Sequence, residues 1–301
     1  MAKIAFVFAG QGSQSVGMGN DLYGYFKNAE YVFNMAGENV KKLSFYGPAE
    51  ELNITVNTQP CLFAMDLACA HVLNASGIYA DGAAGFSLGE IPALAYTGIM
   101  SNAGAFDLVR LRAKAMQACS EKNRGVMFAV LRLSAGEVEK ICFKLDKAYP
   151  VNYNCEGQTV VACAEETAQE LQCKITEKGG KTIKLNVSGA FHSPFMDRAS
   201  VEIAEFLRDK DMGKMDIPLY ANMTARVYDN PKKLISEQVN HPVLWQKTIE
   251  NMISDGFDTF IEVGAGKTLS GLIKKINGGV RSMNVCDLKS LKSTLAEVKN
   301  A

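Results

Sequence analysis

Ser87 stands in G-F-S-L-G at 85–89, and a serine between two glycines at this spacing is a candidate nucleophile. In G-x-S-x-G the chain turns sharply from a strand into a helix, so the flanking residues must be small. The turn lifts the hydroxyl clear of the sheet and aims helix N-terminal amides at a reacting carbonyl. The run A-D-G-A-A-G-F before it reads as a short strand, and L-G-E-I-P-A-L-A after it as a helix. A plain glycine-rich turn shares the same composition, so the pentapeptide alone leaves both readings open.

A nucleophilic serine needs a base, and the chain has only His71, His192 and His241. His71 falls inside an apolar helical stretch, and His241 precedes Pro242 in a helix-entry loop. His192 sits in G-A-F-H-S-P-F-M, a loop leaving a strand and entering a helix, where sites in α/β folds gather. Elimination favours His192.

Other chemistries find less support. Eight cysteines contain no C-x-x-C pair, and with three histidines they give no zinc-ligand spacing. Most lie in apolar company, where free thiols act as small hydrophobes, which points to a reducing compartment. G-Q-G-S-Q-S after the first strand lacks the third glycine of a dinucleotide loop, having Ser15 there. G-A-G-K-T at 264–268 lacks the earlier Walker glycine, having Ile261 there. Lysine plus arginine and aspartate plus glutamate each number 32, so neither a nucleic-acid footprint nor a polybasic membrane anchor is expected. M-A-K-I-A-F-V-F-A-G is too short in its apolar run for a signal peptide, and no stretch approaches the roughly 18 apolar residues of a spanning helix. The expected location is the cytoplasm.

The elements that must hold these residues follow an α/β order, and 48% apolar residues can build a large core. Ile4 to Phe8 is a continuous apolar run suited to a covered parallel strand. Pro60 opens a helix in which Leu62, Met65, Cys69 and Val72 recur at helical steps to about Gly77. A further helix runs from about Ala103 to Cys119. The middle then reads strand 126–133, helix 135–147, strands 150–154 and 158–163, helix 166–178 and strand 181–187. That βαββαβ order is ferredoxin-like. It predicts a small subdomain at 125–189 inserted into a large domain of 1–124 and 190–301. The large domain resumes with a helix from Pro194 to Leu207, a strand at P-L-Y-A-N, a helix containing Trp245 and a final strand T-F-I-E-V.

Taken in order, the segments resemble the malonyl-CoA:acyl carrier protein transacylases over nearly the whole chain. F-A-G-Q-G-S-Q at 8–14, N-T-Q-P at 57–60, G-F-S-L-G-E at 85–90 and L-V-R-L-R-A-K-A-M-Q at 108–117 match family segments. So do P-V-N-Y-N at 150–154, G-A-F-H-S at 189–193, E-Q-V-N-H-P-V-L-W and E-V-G-A-G-K-T-L. The resemblance implies an α/β-hydrolase-like large domain and a ping-pong transfer of malonyl from malonyl-CoA to the phosphopantetheine thiol of an acyl carrier protein. No metal or cofactor is called for. It implies Ser87 as nucleophile and His192 as base, with the backbone carbonyl of Gln238 orienting the histidine. Gln11 and Leu88 occupy the positions whose amides form the oxyanion hole.

Arg112 matches the arginine that holds the malonyl carboxylate, a task suited to a planar, always-charged fork. From its helix alone, Arg112 could equally be a solvated face residue. Gln59, Asn152 and Asn154 match polar positions of the pocket or its loops, where each could also cap a turn. The chain departs from the family at Ala9 for proline, Phe86 for the histidine before the nucleophile, Glu156 for proline, and His241 for asparagine. Phe86 bears on local packing and rate rather than on attack itself. A serine hydrolase and a catalytically silent docking module are the rival readings; the first has no use for an anion clamp.

Overall fold

The first apolar run forms β1 (Ile4–Phe8), followed by short helices α1 (Asn20–Tyr25), α2 (Lys27–Ala36), α3 (Glu38–Tyr46) and α4 (Ala49–Leu52), then long α5 (Thr55–Ala75). β2 (Gly82–Gly85) passes through a 3-10 turn, Ser87–Gly89, into α6 (Glu90–Tyr96), and α7 (Asn102–Lys122) follows. The middle is β3 (Gly125–Leu131), α8 (Ala135–Cys142), β4 (Ala148–Cys155), β5 (Gln158–Ala164), α9 (Ala168–Glu177) and β6 (Lys181–Lys184). The remainder is α10 (Asp197–Leu207), β7 (Leu219–Tyr220), α11 (Pro231–Glu237), α12 (Trp245–Ser254), β8 (Thr259–Val263), α13 (Thr268–Ile276), β9 (Arg281–Val285) and α14 (Leu288–Lys299). The structure, a computed structural model, describes residues 2–299.

Five strands form a parallel sheet in the order β7-β2-β1-β8-β9. β1 is central, and Ala5 to Phe8 are wholly buried, as an apolar run covered on both faces requires. α5 contributes an almost unbroken buried surface from Gln59 to Ala70, so it is a core helix rather than an amphipathic one. No helix among the described residues is long and apolar enough to cross a membrane.

The middle stretch makes its own four-stranded antiparallel sheet, ordered β4-β5-β3-β6. It is tied to the larger sheet's helical layer where Val243 exchanges backbone hydrogen bonds with β4. Tyr153 N–H donates to the Val243 carbonyl at 2.9 Å, and Val243 N–H to that of Val151 at 2.8 Å. Beside this seam, Asn152 and Asn154 of β4 face the same cavity as Ser87.

Several sequence expectations need correction. Pro60 does not open α5; the helix starts at Thr55 and Pro60 lies inside it. Proline denies the Val56 carbonyl an amide partner, a loss confined to the first turn of the helix. T-F-I-E-V is not the last strand, because β9 pairs beyond it. R-S-M-N-V is an edge strand with alternating burial and polar residues, so it lacks the apolar run of a central strand. The helix expected to 147 stops at Cys142, and the strand expected to 187 stops at Lys184. α1 and α4, of six and four residues, carry too few turns to declare a period.

Candidate active site

Ser87 lies where β2 ends and the 3-10 turn begins, with a positive φ of 53°. That left-handed backbone is strained for a serine and persists only where its neighbours enforce it. A β-carbon on Gly85 would collide with the Gly89 backbone, and one on Gly89 with the Phe8 carbonyl. The glycines are therefore required by close approach of backbone to backbone. Asn222 clamps the turn: its Oδ1 accepts the Ser87 N–H at 2.7 Å while its Nδ2 donates to the Gly85 carbonyl. The first turn bond is Gly89 N–H to the Phe86 carbonyl at 3.0 Å, so the Leu88 N–H precedes it among the unpaired donors of a helix start. Gln11, in the loop after β1, lines the same cavity, and its side chain donates to Thr55 Oγ1 at 3.2 Å.

His192 also has a positive φ, 61°, and its N–H is fixed to the Val239 carbonyl at 2.9 Å. Its Nδ1 lies 2.9 Å from the Gln238 carbonyl, and its Nε2 lies 2.6 Å from Ser87 Oγ. A carbonyl only accepts, so Nδ1 carries the proton and Nε2 is left to accept from the serine. Arg112 Nη2 donates to the same Ser87 Oγ at 3.3 Å. Since guanidinium cannot accept, the serine proton is directed at His192. Burial, and then the nearby Arg112 charge, hold the His192 pKa down at about 4. A neutral imidazole with a free Nε2 lone pair is ready to take a proton at neutral pH.

Arg112 is 1% exposed and lies on α7. Nη1 donates to Gln59 Oε1 at 2.7 Å and Nη2 to Gln238 Oε1 at 2.8 Å. Its Nε is buried without a partner, and no carboxylate among the described residues forms a salt bridge with it. Burial lowers its pKa to about 10, which still leaves it charged at neutral pH. A buried guanidinium held by neutral amides presents an unmatched charge to whatever enters the cavity.

The cavity encloses about 270 Å³ between the two sheets and is lined by Gln11, Phe86, Ser87, Arg112, His192 and the β4 residue Asn152, among others. Asn154 also lines it, with a buried Oδ1 lacking a partner. Phe86 packs edge-to-face on Trp245, ring centres 5.4 Å apart. His71 and His241 are outside this cavity; His241 Nδ1 bonds the Glu237 carbonyl at 2.9 Å. Glu156 is exposed in the β4–β5 turn. At the G-A-G-K-T segment, Glu262 fills the helix start itself, accepting from the Leu269 and Ser270 amides at 3.0 and 2.7 Å. The protein's own carboxylate occupies the donors a phosphate would need.

Sequence reasoning missed Asn222, Glu90, Tyr228 and the Thr55–Ser188 pair, whose hydroxyls lie 2.8 Å apart below Gln11. It also discounted the Gln238 side chain, which donates to the Ser87 carbonyl at 2.7 Å as well as receiving Arg112. The position of Asn222 just beyond a parallel strand's C-terminal end was the available signal.

An acyl transferase domain model matches residues 5–291. The malonyl CoA-acyl carrier protein transacylase of Bacillus subtilis is 37% identical, with 99% of this chain and 98% of that protein covered. The crystal structure of the transacylase of that name from Clostridium perfringens superposes with a TM-score of 0.95 at 36% identity, covering 99% of this chain and 98% of that one. A malonyl transacylase solved in complex with its type II PKS acyl carrier protein gives a TM-score of 0.94 at 30% identity, covering 98% of this chain and 100% of that one. With a strained serine, a neutral histidine and a buried free cation in one cavity, and with these relatives along its whole length, this chain belongs to the malonyl CoA-acyl carrier protein transacylase family.

Proposed function

We propose that the chain moves a malonyl group from malonyl-CoA to the phosphopantetheine thiol of an acyl carrier protein through a malonyl ester on Ser87. Ser87 Oγ attacks the thioester carbonyl carbon while its proton passes to His192 Nε2, 2.6 Å away. The Gln11 and Leu88 amides stabilise the tetrahedral oxyanion, a contribution of about 100–1,000-fold per donor in such sites. The carbon–sulfur bond then breaks, and coenzyme A leaves with the proton from His192. In the second half the carrier thiol gives its proton to His192, attacks the ester, and Ser87 leaves as the free hydroxyl. The Gln238 carbonyl holds the imidazole, and Gln59 and Gln238 hold Arg112. The chemistry is complete without a metal or cofactor.

The observation that carries this reading is the buried Arg112, without a carboxylate partner and 3.3 Å from the nucleophile. A malonyl carboxylate supplies the missing anion, whereas a simple acyl group leaves the charge stranded. The solved relative with its carrier protein supports the acceptor. The product is suited to fatty-acid or polyketide chain extension.

The larger domain, 1–124 and 190–301, is read as α/β-hydrolase-like because its nucleophile turn follows an inner strand of a parallel sheet. Its ends, Met1, Asn300 and Ala301, lie outside the described residues. The insertion at 125–189 is read as ferredoxin-like on its βαββαβ order and antiparallel sheet. Eight unpaired cysteines, six of them buried, support a reducing, cytoplasmic setting.

The test is pre-steady-state. Radiolabelled malonyl-CoA mixed with the enzyme should release one coenzyme A per chain and leave label on the denatured protein. Carrier protein should then take up that label, and Ser87→Ala should retain none. Label on the alanine variant, or label passing only to water when carrier protein is present, would overturn the assignment.

A further inference from the structure

Glu90, the residue that closes G-F-S-L-G-E, has no part in the transfer chemistry, yet it is 1% exposed and bonded on every side. Its Oε1 accepts the Asn222 N–H at 3.1 Å and the Tyr228 hydroxyl. Its Oε2 accepts Gln238 Nε2. The same Gln238 amide donates to the Ser87 carbonyl and accepts Arg112 Nη2 on its oxygen. The amide thus has both protons and its oxygen committed, and its orientation is dictated by a carboxylate, which can only accept.

We propose that Glu90 is a positioning residue for substrate selectivity, an anion that acts through the Gln238 amide to hold the Arg112 fork open for the malonyl carboxylate. This rests on the reading of Arg112 as the carboxylate clamp. Direct contact of Glu90 with Arg112 would neutralise the clamp. With one amide interposed, Glu90 balances the buried cation at a distance and leaves it free to pair with substrate. Around Glu90 the titratable groups are Tyr228 and Arg112, with His192 one bond beyond Gln238. Burial raises the Glu90 pKa to about 7, against hydrogen bonds led by Tyr228 that lower it, so the anion prevails above pH 7 and the wild-type malonyl-to-acetyl ratio should itself rise through that pH.

Glu90→Gln keeps the shape and reverses the polarity. Its amide oxygen must stay toward Asn222, whose backbone only donates, so its NH2 faces the NH2 of Gln238. Gln238 then flips and turns a donor toward Arg112. Loss of a hydrogen bond to a charged group corresponds to about 10- to 100-fold. Malonyl-CoA kcat/KM should fall on that scale, while acetyl-CoA, which has no carboxylate, changes by less than about threefold.

Tyr228→Phe tests the anion without risk to the turn. Removing that donor raises the Glu90 pKa, so the rise of the malonyl-to-acetyl ratio with pH, centred near pH 7 in the wild type, should move to higher pH in the variant. Equal losses for both thioesters in Glu90→Gln, or a Tyr228→Phe ratio that follows the wild-type pH curve, would each overturn the proposal. If Arg112→Ala proves malonyl-selective while these variants do not, the relay fails and the clamp stands. If wild-type enzyme forms no malonyl ester, the functional reading itself fails.

Discussion

Arg112 and Ser87, 25 residues apart in the chain, meet with the guanidinium 3.3 Å from the serine hydroxyl oxygen. The contact fixes two properties at once. It aims the serine proton at His192, and it places a buried cation beside the hydroxyl.

Arg112→Ala should therefore act on substrate choice. Removing one partner of a buried ion pair costs about 3–5 kcal/mol, or two to four powers of ten. Malonyl-CoA kcat/KM should fall on that scale, and acetyl-CoA use should fall little or rise. Equal losses for both would mean that Arg112 supports the fold or the coenzyme A portion instead.

The low His192 pKa predicts the acid limb of acylation. With acetyl-CoA, the rate of Ser87 acetylation should stay level from pH 8 to about 5. Below the His192 pKa of about 4 it should fall tenfold per unit, because the protonated imidazole cannot accept. Arg112 contributes to that depression, so Arg112→Ala should move the midpoint upward. Intact-mass detection of acetyl-enzyme after brief pH jumps reads both, and an unmoved midpoint would remove Arg112 from the electrostatics of the base.

Phe86 lines the cavity beside Ser87 and packs its ring edge-to-face on Trp245. Phe86→His should change malonyl turnover by less than about tenfold, roughly 1.4 kcal/mol of barrier. A gain of a hundredfold would mean that the native site is impaired and would favour a docking role for the chain.

Asp66, on α5, is wholly buried with neither carboxyl oxygen hydrogen-bonded, and it fills the space a β-carbon on Gly264 would need. Burial, then the nearby Glu262, raise its pKa well above the ordinary carboxylate value of 3.8. A raised carboxylate pKa means stability is fully present below 3.8 and is lost as pH climbs toward the folded-state value. Asp66→Asn copies the neutral form, so it should match wild type near pH 4 and exceed it increasingly at higher pH. The limiting slope is about 1.4 kcal/mol per pH unit. Urea unfolding of both proteins across that range measures it, and parallel curves would show that Asp66 finds a partner.

The sequence by itself determined the βαββαβ order of the middle stretch, the serine turn between β2 and α6 and the short list of bases. Those are local matters: glycine spacing dictates how closely backbone can approach backbone at Gly85 and Gly89, and three histidines leave little to eliminate. Apolar runs located β1 and β8 because central parallel strands are covered on both faces, and β9 escaped because an edge strand needs no such run. The residues tuning the site were legible only in three dimensions. Ser87 meets Gln238 across 151 positions, Asn222 across 135, and Arg112 meets Gln238 across 126. No periodicity spans such distances. Glutamine and asparagine look alike in a sequence whether they cap a turn or orient a buried charge. Only the folded core, by excluding water, makes each of their hydrogen bonds obligatory and so gives Gln238 and Glu90 a direction in which to act.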